Sequence, residues 1–168
     1  MALEIQVPRR TLLVLCGVAG CGKSTFAAQR FRESMVVSSD RCREMICDDV
    51  TNQQVNRDTF DLLYYILRKR MYLGRFTVVD STALHAEARR QLRELAHRYG
   101  YYTCLLVFDV AEEVCLRRDR QRERRVGDAV VAYHAGLLRQ ALVDAPQEGW
   151  HQLHVLQEGD MDAVVTVG

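Results

Sequence analysis

Ten residues near the N-terminus, CGVAGCGKST from Cys16 to Thr25, constrain the fold more than any other stretch. They follow an apolar run, TLLVL, and lead into helix-forming residues. Gly17, Gly22, Lys23 and Ser24 fit G-x-x-x-x-G-K-[ST], in which a strand feeds a glycine loop and the loop feeds a helix. In that setting backbone N–H groups turn inward around an anion, and the helix N-terminus adds partial positive charge. The pattern therefore specifies a turn that holds phosphate. It leaves open where a phosphoryl group would go.

The rest of the chain alternates short apolar runs with helical periodicity. Strands are expected at Thr11–Cys16, Met35–Ser38, Phe76–Val79, Thr103–Asp109 and Leu153–Leu156. Helices are expected at about Lys23–Phe31, Thr59–Leu73 and Glu87–Tyr99, the last two stopped by Gly74 and Gly100, then from Glu112 and over Asp128–Val143. This alternation implies an α/β fold, a parallel sheet with helices on both faces. Ligands of such sheets sit at the carboxyl ends of the strands, where Gly17, Asp40, Asp80 and Asp109 fall. At 168 residues the chain is expected to be one domain, 1–168, with Ala145-Pro146 through Gly149 as its one linker.

A net charge of +1 argues against a uniformly basic nucleic-acid binder but permits a local basic patch. The six cysteines form no C-x-x-C pair and read as reduced thiols of a cytoplasmic protein. Arg9-Arg10 followed by TLLVLCGV mimics a secretion signal, yet cleavage before Cys21 would cut the glycine loop. No apolar run approaches the roughly 18 residues of a membrane span, and no membrane partner is expected.

Each chemistry-bearing residue has a plainer alternative. Gly17, Gly20, Gly22 and Thr25 complete the phosphate cradle; Lys23 would reach the β- and γ-phosphates of a nucleotide, and Ser24 would ligate Mg²⁺. Asp80, after FTVV, suits the acid that holds a metal's water shell, or else a helix cap. Asp40, ending the strand beside the glycine loop, could take the proton of an attacking hydroxyl, with Arg43 one helical turn on to grip a second anion. The plainer reading of that pair is a helix cap with a local ion pair. Arg118, Arg122 and Arg125 have the i, i+4, i+7 spacing of one helical face, either a solvated face or a lid over a transferring phosphoryl group. His151 and His154 read as surface and strand rather than a metal site, and Tyr64-Tyr65 and Tyr101-Tyr102 as half-buried aromatics.

With these residues in place, the chain resembles the 5′-hydroxyl polynucleotide kinase domain of bacterial polynucleotide kinase-phosphatase, a family with the P-loop kinase fold and an arginine-rich lid. GVAGCGKSTFA, VVSSDRCREMICDD with Gln53 after it, LLYYILRKRMYLGRFTVVDST and VFDVAEEVCLRR carry the likeness, from about Leu12 to Leu156. The resemblance implies ATP or another NTP with Mg²⁺ at Lys23 and Ser24, and Asp40 as general base for a 5′-hydroxyl of RNA or DNA. It implies Arg43 on the phosphate 3′ to that hydroxyl, Gln53 near the acceptor, and Arg118, Arg122 and Arg125 around the donor phosphates. The family often has Asn after its D-[AS]-T, where Ala83 stands here, and the lid is one residue shorter after Arg125. In the resembled protein this kinase is fused to phosphatase and ligase modules, whose motifs are not found in this chain. The competing expectation is a small-molecule or sugar-nucleotide kinase of the same fold, like zeta toxins; a nucleotide-dependent switch would not need Asp40.

Overall fold

The computed structural model describes residues 1–123 and 125–168. In chain order its elements are β1 (Glu4–Val7), β2 (Thr11–Gly17), α1 (Lys23–Arg30), β3 (Val36–Ser38), α2 (Ser39–Cys47), α3 (Asn56–Tyr72), β4 (Thr77–Asp80), α4 (Ala86–Arg98), β5 (Tyr102–Phe108), α5 (Glu112–Gln121), α6 (Asp128–Asp144), β6 (Gln152–Leu156) and β7 (Val164–Val167). Strands β2 to β6 form one parallel sheet in the order β3-β4-β2-β5-β6, flanked by helices. All seven residues of β2 are buried, which is why its sequence is a continuous apolar run rather than an alternating one. The register pairs Leu15 with Asp80, Ser38 with Asp80 and Gly17 with Phe108, so the carboxyl ends of four adjacent strands, β3, β4, β2 and β5, meet in one row.

The chain leaves β2 for one edge of the sheet, returns through β4, and crosses β2 to reach β5. The glycine loop therefore opens where the connections diverge, the crevice in which ligands of open α/β sheets are held. Its start is pinned to the neighbouring strand end: the Gly17 amide donates to Thr82 O at 2.9 Å.

Three features differ from the sequence expectation. First, the polar stretch after β3 folds into α2, because Ser38 caps it by accepting the Arg41 amide at 3.3 Å while Cys42 and Arg43 face inward. Second, β1 and β7 form a separate two-stranded parallel sheet, Glu4 to Val7 against Val164 to Val167, burying Ile5 and Val7. Third, the expected linker is packed in place. Ala145 is buried, and Glu148 receives two bonds from Arg89, Nε at 2.9 Å and Nη2 at 2.9 Å.

Arg89, 1% exposed, is the largest fully buried side chain, and it also donates to Ala83 O at 3.0 Å and Leu84 O at 2.8 Å. Burial works against ionised Glu148, but the bonds from Arg89 and Trp150 and the charges of Arg89 and Arg93 outweigh it and hold its carboxyl below the ordinary range. We expect Glu148→Gln to destabilise the fold by roughly 3 kcal/mol, the low end for leaving a buried charge uncompensated. A lowered carboxyl pKa confers stability above the unfolded value and loses it as pH falls through the folded one. Urea midpoints should therefore separate parent and variant at pH 7 and converge as pH falls through the lowered Glu148 value.

Candidate active site

The loop between β2 and α1 has the backbone its glycines allow. Gly20 (φ 82°) and Gly22 (φ 101°) are left-handed, a region that costs other residues about 1–2 kcal/mol. At Gly17 a Cβ would lie 2.9 Å from Cys21 Sγ and 3.1 Å from Phe108 Cβ, so the loop can hug β5 only without a side chain there. Helix α1 starts at Lys23 with no side-chain cap and no acid in its first turn, which leaves its positive end toward the loop. Lys23 is buried, and its ammonium donates to Gly17 O at 2.9 Å and Val18 O at 3.0 Å.

Ser24 and Asp80 meet directly: Ser24 Oγ donates to Asp80 Oδ2 at 2.7 Å. Burial pushes the Asp80 carboxyl up; the Ser24 bond and the Lys23 charge oppose this, and the nearby Asp40 charge adds to it. A hydroxyl and a buried carboxylate are the oxygen donors a hard divalent cation prefers. Among the described residues no three His, Cys, Asp or Glu cluster to hold a metal ion by themselves. The pair thus fits Mg²⁺ that completes its coordination with phosphates and water.

The cavity over this loop has about 530 Å³, within the roughly 300–1,000 Å³ of small-molecule sites. Gly20, Gly22, Lys23, Ser24 and Thr25 form one wall, and Arg118 and Arg122 another. The three lid arginines do not share a helical face as their spacing predicted. Helix α5 ends at Gln121, leaving Arg122 extended as its C-cap. Arg118 Nη1 donates to Cys21 O at 2.9 Å, and Arg122 lies 3.9 Å from Asp119. Arg125 is half-exposed, 3.9 Å from Asp128, and is not part of the cavity wall.

On the other side of the loop, Asp40 is exposed in the first turn of α2. Arg43 sits on the same helix but is 6% exposed, and it forms no helix-cap ion pair with Asp40. Its Nη1 donates to Asn52 O at 2.9 Å and Asn56 Oδ1 at 2.6 Å. Arg43 thereby holds the 3₁₀ turn Gln53–Val55, on which Gln53 is exposed. Asp109, also at a strand end, donates its amide to Leu156 O at 2.8 Å.

Two contributors escaped sequence reading. Asp119, fully buried, accepts the Val126 and Gly127 amides, each at 2.9 Å, and so shapes the segment after α5. Its signal was available, since Asp119 lies one turn past buried Cys115 on α5's inner face. His134 of α6 accepts the Ala19 amide on Nδ1 at 3.4 Å, which brings α6 against the glycine loop. Nothing in its local sequence marks it. The two histidines that the sequence did mark hold structure: His151 Nδ1 accepts the Thr103 amide at 3.0 Å, and His154 Nε2 meets Gln152 Oε1 at 2.9 Å.

Fold and site together define a nucleotide-binding protein of the P-loop kinase type. The chain belongs to the AAA domain family, which it matches over residues 12–142. Among solved structures it is similar to a chain of the Pnkp1/Rnl/Hen1 RNA repair complex, at 19% identity and a TM-score of 0.70, over 82% of this chain and 46% of that one. It is similar to a protein of the PezAT toxin-antitoxin system of Streptococcus pneumoniae, at 16% identity and 0.62, over 90% and 70%. It is also similar to the APS kinase CysC of Mycobacterium tuberculosis, solved with AMPPNP and APS, at 18% identity and 0.58, over 90% of each chain. The chain spans less than half of the RNA-repair chain it matches.

Gly22→Ala should weaken Mg²⁺–ATP binding at least tenfold by calorimetry, because alanine is strained at φ 101° and its Cβ would stand 3.3 Å from Arg118 Nη1. The His134 ring should titrate below 6.5 in a histidine NMR titration, as burial and the charges of Lys23 and His85 disfavour its protonated form. Its bond to Ala19 needs the neutral ring, so the contact holds at high pH and is lost as pH falls through that lowered value.

Proposed function

We propose that the chain transfers the γ-phosphate of ATP, or another NTP, to the 5′-hydroxyl end of RNA or DNA. The observation that carries this reading is the pairing of two half-sites across β3, β4 and β2. The glycine loop, Ser24 and Asp80 form one, and Asp40 with the Arg43-held turn of Gln53 forms the other. Asp40 lies close enough to Asp80 for its charge to be felt there, at the side of the loop an acceptor would approach. Similarity to an RNA repair complex supports the reading.

In this mechanism the loop amides and Lys23 hold the β- and γ-phosphates, and Lys23 leaves its loop carbonyls to do so. Ser24 and, through water, Asp80 would hold Mg²⁺, which would supply charge neutralisation on the phosphates. Arg118 and Arg122 face the same cavity and offset charge that builds on the transferring group. Arg125 would join them only by leaving Asp128. The Asp40 carboxylate accepts the proton of the attacking hydroxyl, and Gln53 flanks the acceptor.

A second reading, a small-molecule or sugar-nucleotide kinase, draws support from Arg43. Its Nη1 is already spent on Asn52 and Asn56, which leaves less of the guanidinium for a substrate phosphate. The similarity to a toxin-antitoxin protein and to an APS kinase is in line with it.

Transfer of labelled γ-phosphate separates the two. A 5′-hydroxyl dinucleotide or nucleoside 3′-monophosphate should exceed the bare nucleoside by about ten- to a hundredfold in kcat/KM, the value of one charge-assisted hydrogen bond. Asp40→Asn should keep Mg²⁺–ATP affinity and slow transfer by roughly 10²–10⁴-fold. Transfer to a compact metabolite alone would favour the second reading, and unchanged transfer in Asp40→Asn would remove Asp40 as the base.

A further inference from the structure

The end of the sheet opposite the glycine loop carries a second concentration of cations and rings. A cavity of about 420 Å³ opens there, walled by Arg93, His97 and Arg98 of α4, Tyr101 and Thr103 at the start of β5, and His151 before β6. The surface continues past the cavity along the strand starts. Arg10, just before β2, lies with its guanidinium 5.1 Å over the Tyr101 ring, and the Tyr101 hydroxyl donates to Arg75 O at 2.7 Å, just before β4. Four adjacent strands, β4, β2, β5 and β6, are thus preceded by Arg75, Arg10, Arg98 and His151, all exposed.

The acids nearby are already engaged. Glu94 in the cavity wall pairs with Arg90 at 2.5 Å, and Glu148 is held by Arg89 at 2.9 Å and Arg93 at 3.2 Å. Arg75 and Arg98 have no ion-pair partner among the described residues. The rings are ordered as well. His151 stacks on Tyr102, with centroids 4.6 Å apart and planes at 22°. Because its Nδ1 accepts the Thr103 amide, the neutral ring keeps its proton on Nε2 as a donor.

We propose that this face binds single-stranded nucleic acid, its arginines tracking phosphates and its cavity taking one nucleotide. Exposed arginines in a row, beside the exposed His151 ring and its fixed donor, with Tyr101 buried beneath Arg10, have the make-up of a sequence-tolerant strand site. The inference rests on the polynucleotide reading of the acceptor, because it gives the strand a second hold far from its reacting end. The seven residues of β5 separate the two ends of the sheet by about 23 Å at 3.3 Å per residue. A stacked strand rising roughly 3.4 Å per nucleotide needs about seven nucleotides to span that distance. A dinucleotide cannot reach.

The test compares the parent with Arg75→Glu/Arg98→Glu, binding a 3′-labelled 20-nucleotide single strand by fluorescence anisotropy without ATP. The expected result is at least tenfold weaker binding, with the slope of log K against log salt smaller by about 1.4, at roughly 0.7 per phosphate contact. Phosphorylation of a dinucleotide should not change. Arg75→Gln/Arg98→Gln, which adds no acid, should show the same direction with a parental melting temperature. Unchanged 20-mer affinity in both variants would overturn the proposal. So would binding of phosphatidylserine vesicles without binding of the oligonucleotide. Displacement of the 20-mer by AMP at equal concentration would assign the cavity to free nucleotides and overturn the strand assignment. If no oligonucleotide is phosphorylated yet the variants still lose 20-mer affinity, the kinase reading falls and this surface stands.

Discussion

Arg89 ties the site to the core. A buried guanidinium costs several kcal/mol to desolvate, and only a full set of partners repays it. Arg89 has that set: both Glu148 oxygens and the carbonyls of Ala83 and Leu84. Those carbonyls belong to the turn after Asp80, whose Thr82 O receives the Gly17 amide. The carboxylate that meets Ser24 and the first glycine of the loop are therefore set from the same turn. Loosening Arg89 would move Asp80 and the loop together.

Ala83 shows what the clamp resists. It adopts φ 46°, in the left-handed region, where alanine is disfavoured and asparagine is better tolerated. The polynucleotide kinase family that the chain resembles often has Asn at this position. Its departure there is a backbone matter before it is a catalytic one. Here the bonds to Ala83 O from Arg89 Nη1 and Cys16 Sγ hold a conformation that asparagine would favour locally. Strain beside a functional site persists only where surrounding contacts over-determine it.

What was legible in the sequence was local. The five strands of the main sheet announce themselves as apolar runs of three to seven residues, and the glycine loop as a spacing of fixed positions. What was hidden depends on distant partners. Strands β1 and β7 have only four residues each, and neither predicts a pairing across some 160 residues of chain. The proline-containing turn at Ala145 looked like a linker because its glutamate's partner lies 59 residues away on α4. Arg118, Arg122 and Arg125 share a face only while the helix continues, and α5 stops at Gln121, with Asp119 holding the Val126 and Gly127 amides just beyond. His134 has no local signal at all, because its role comes from where α6 packs.

The net charge of the chain does not describe its local surfaces. Lysine and arginine exceed aspartate and glutamate by one, which excludes a uniformly basic surface and nothing finer. The acids are not spread evenly against the bases. Glu87 and Glu94 serve Arg90, Glu148 serves Arg89 and Arg93, and Asp128 serves Arg120 and Arg125. Each of these pairs consumes charge along the helices and the turns between them. Among the described residues, the cations outside these pairs include Lys23 and Arg118 at one end of the sheet and Arg75 and Arg98 at the other. Between exposed charges farther apart than a Debye length of about 8 Å, screening erases the average and leaves the local cluster to act. A nearly neutral protein can in this way present two separate surfaces to anions.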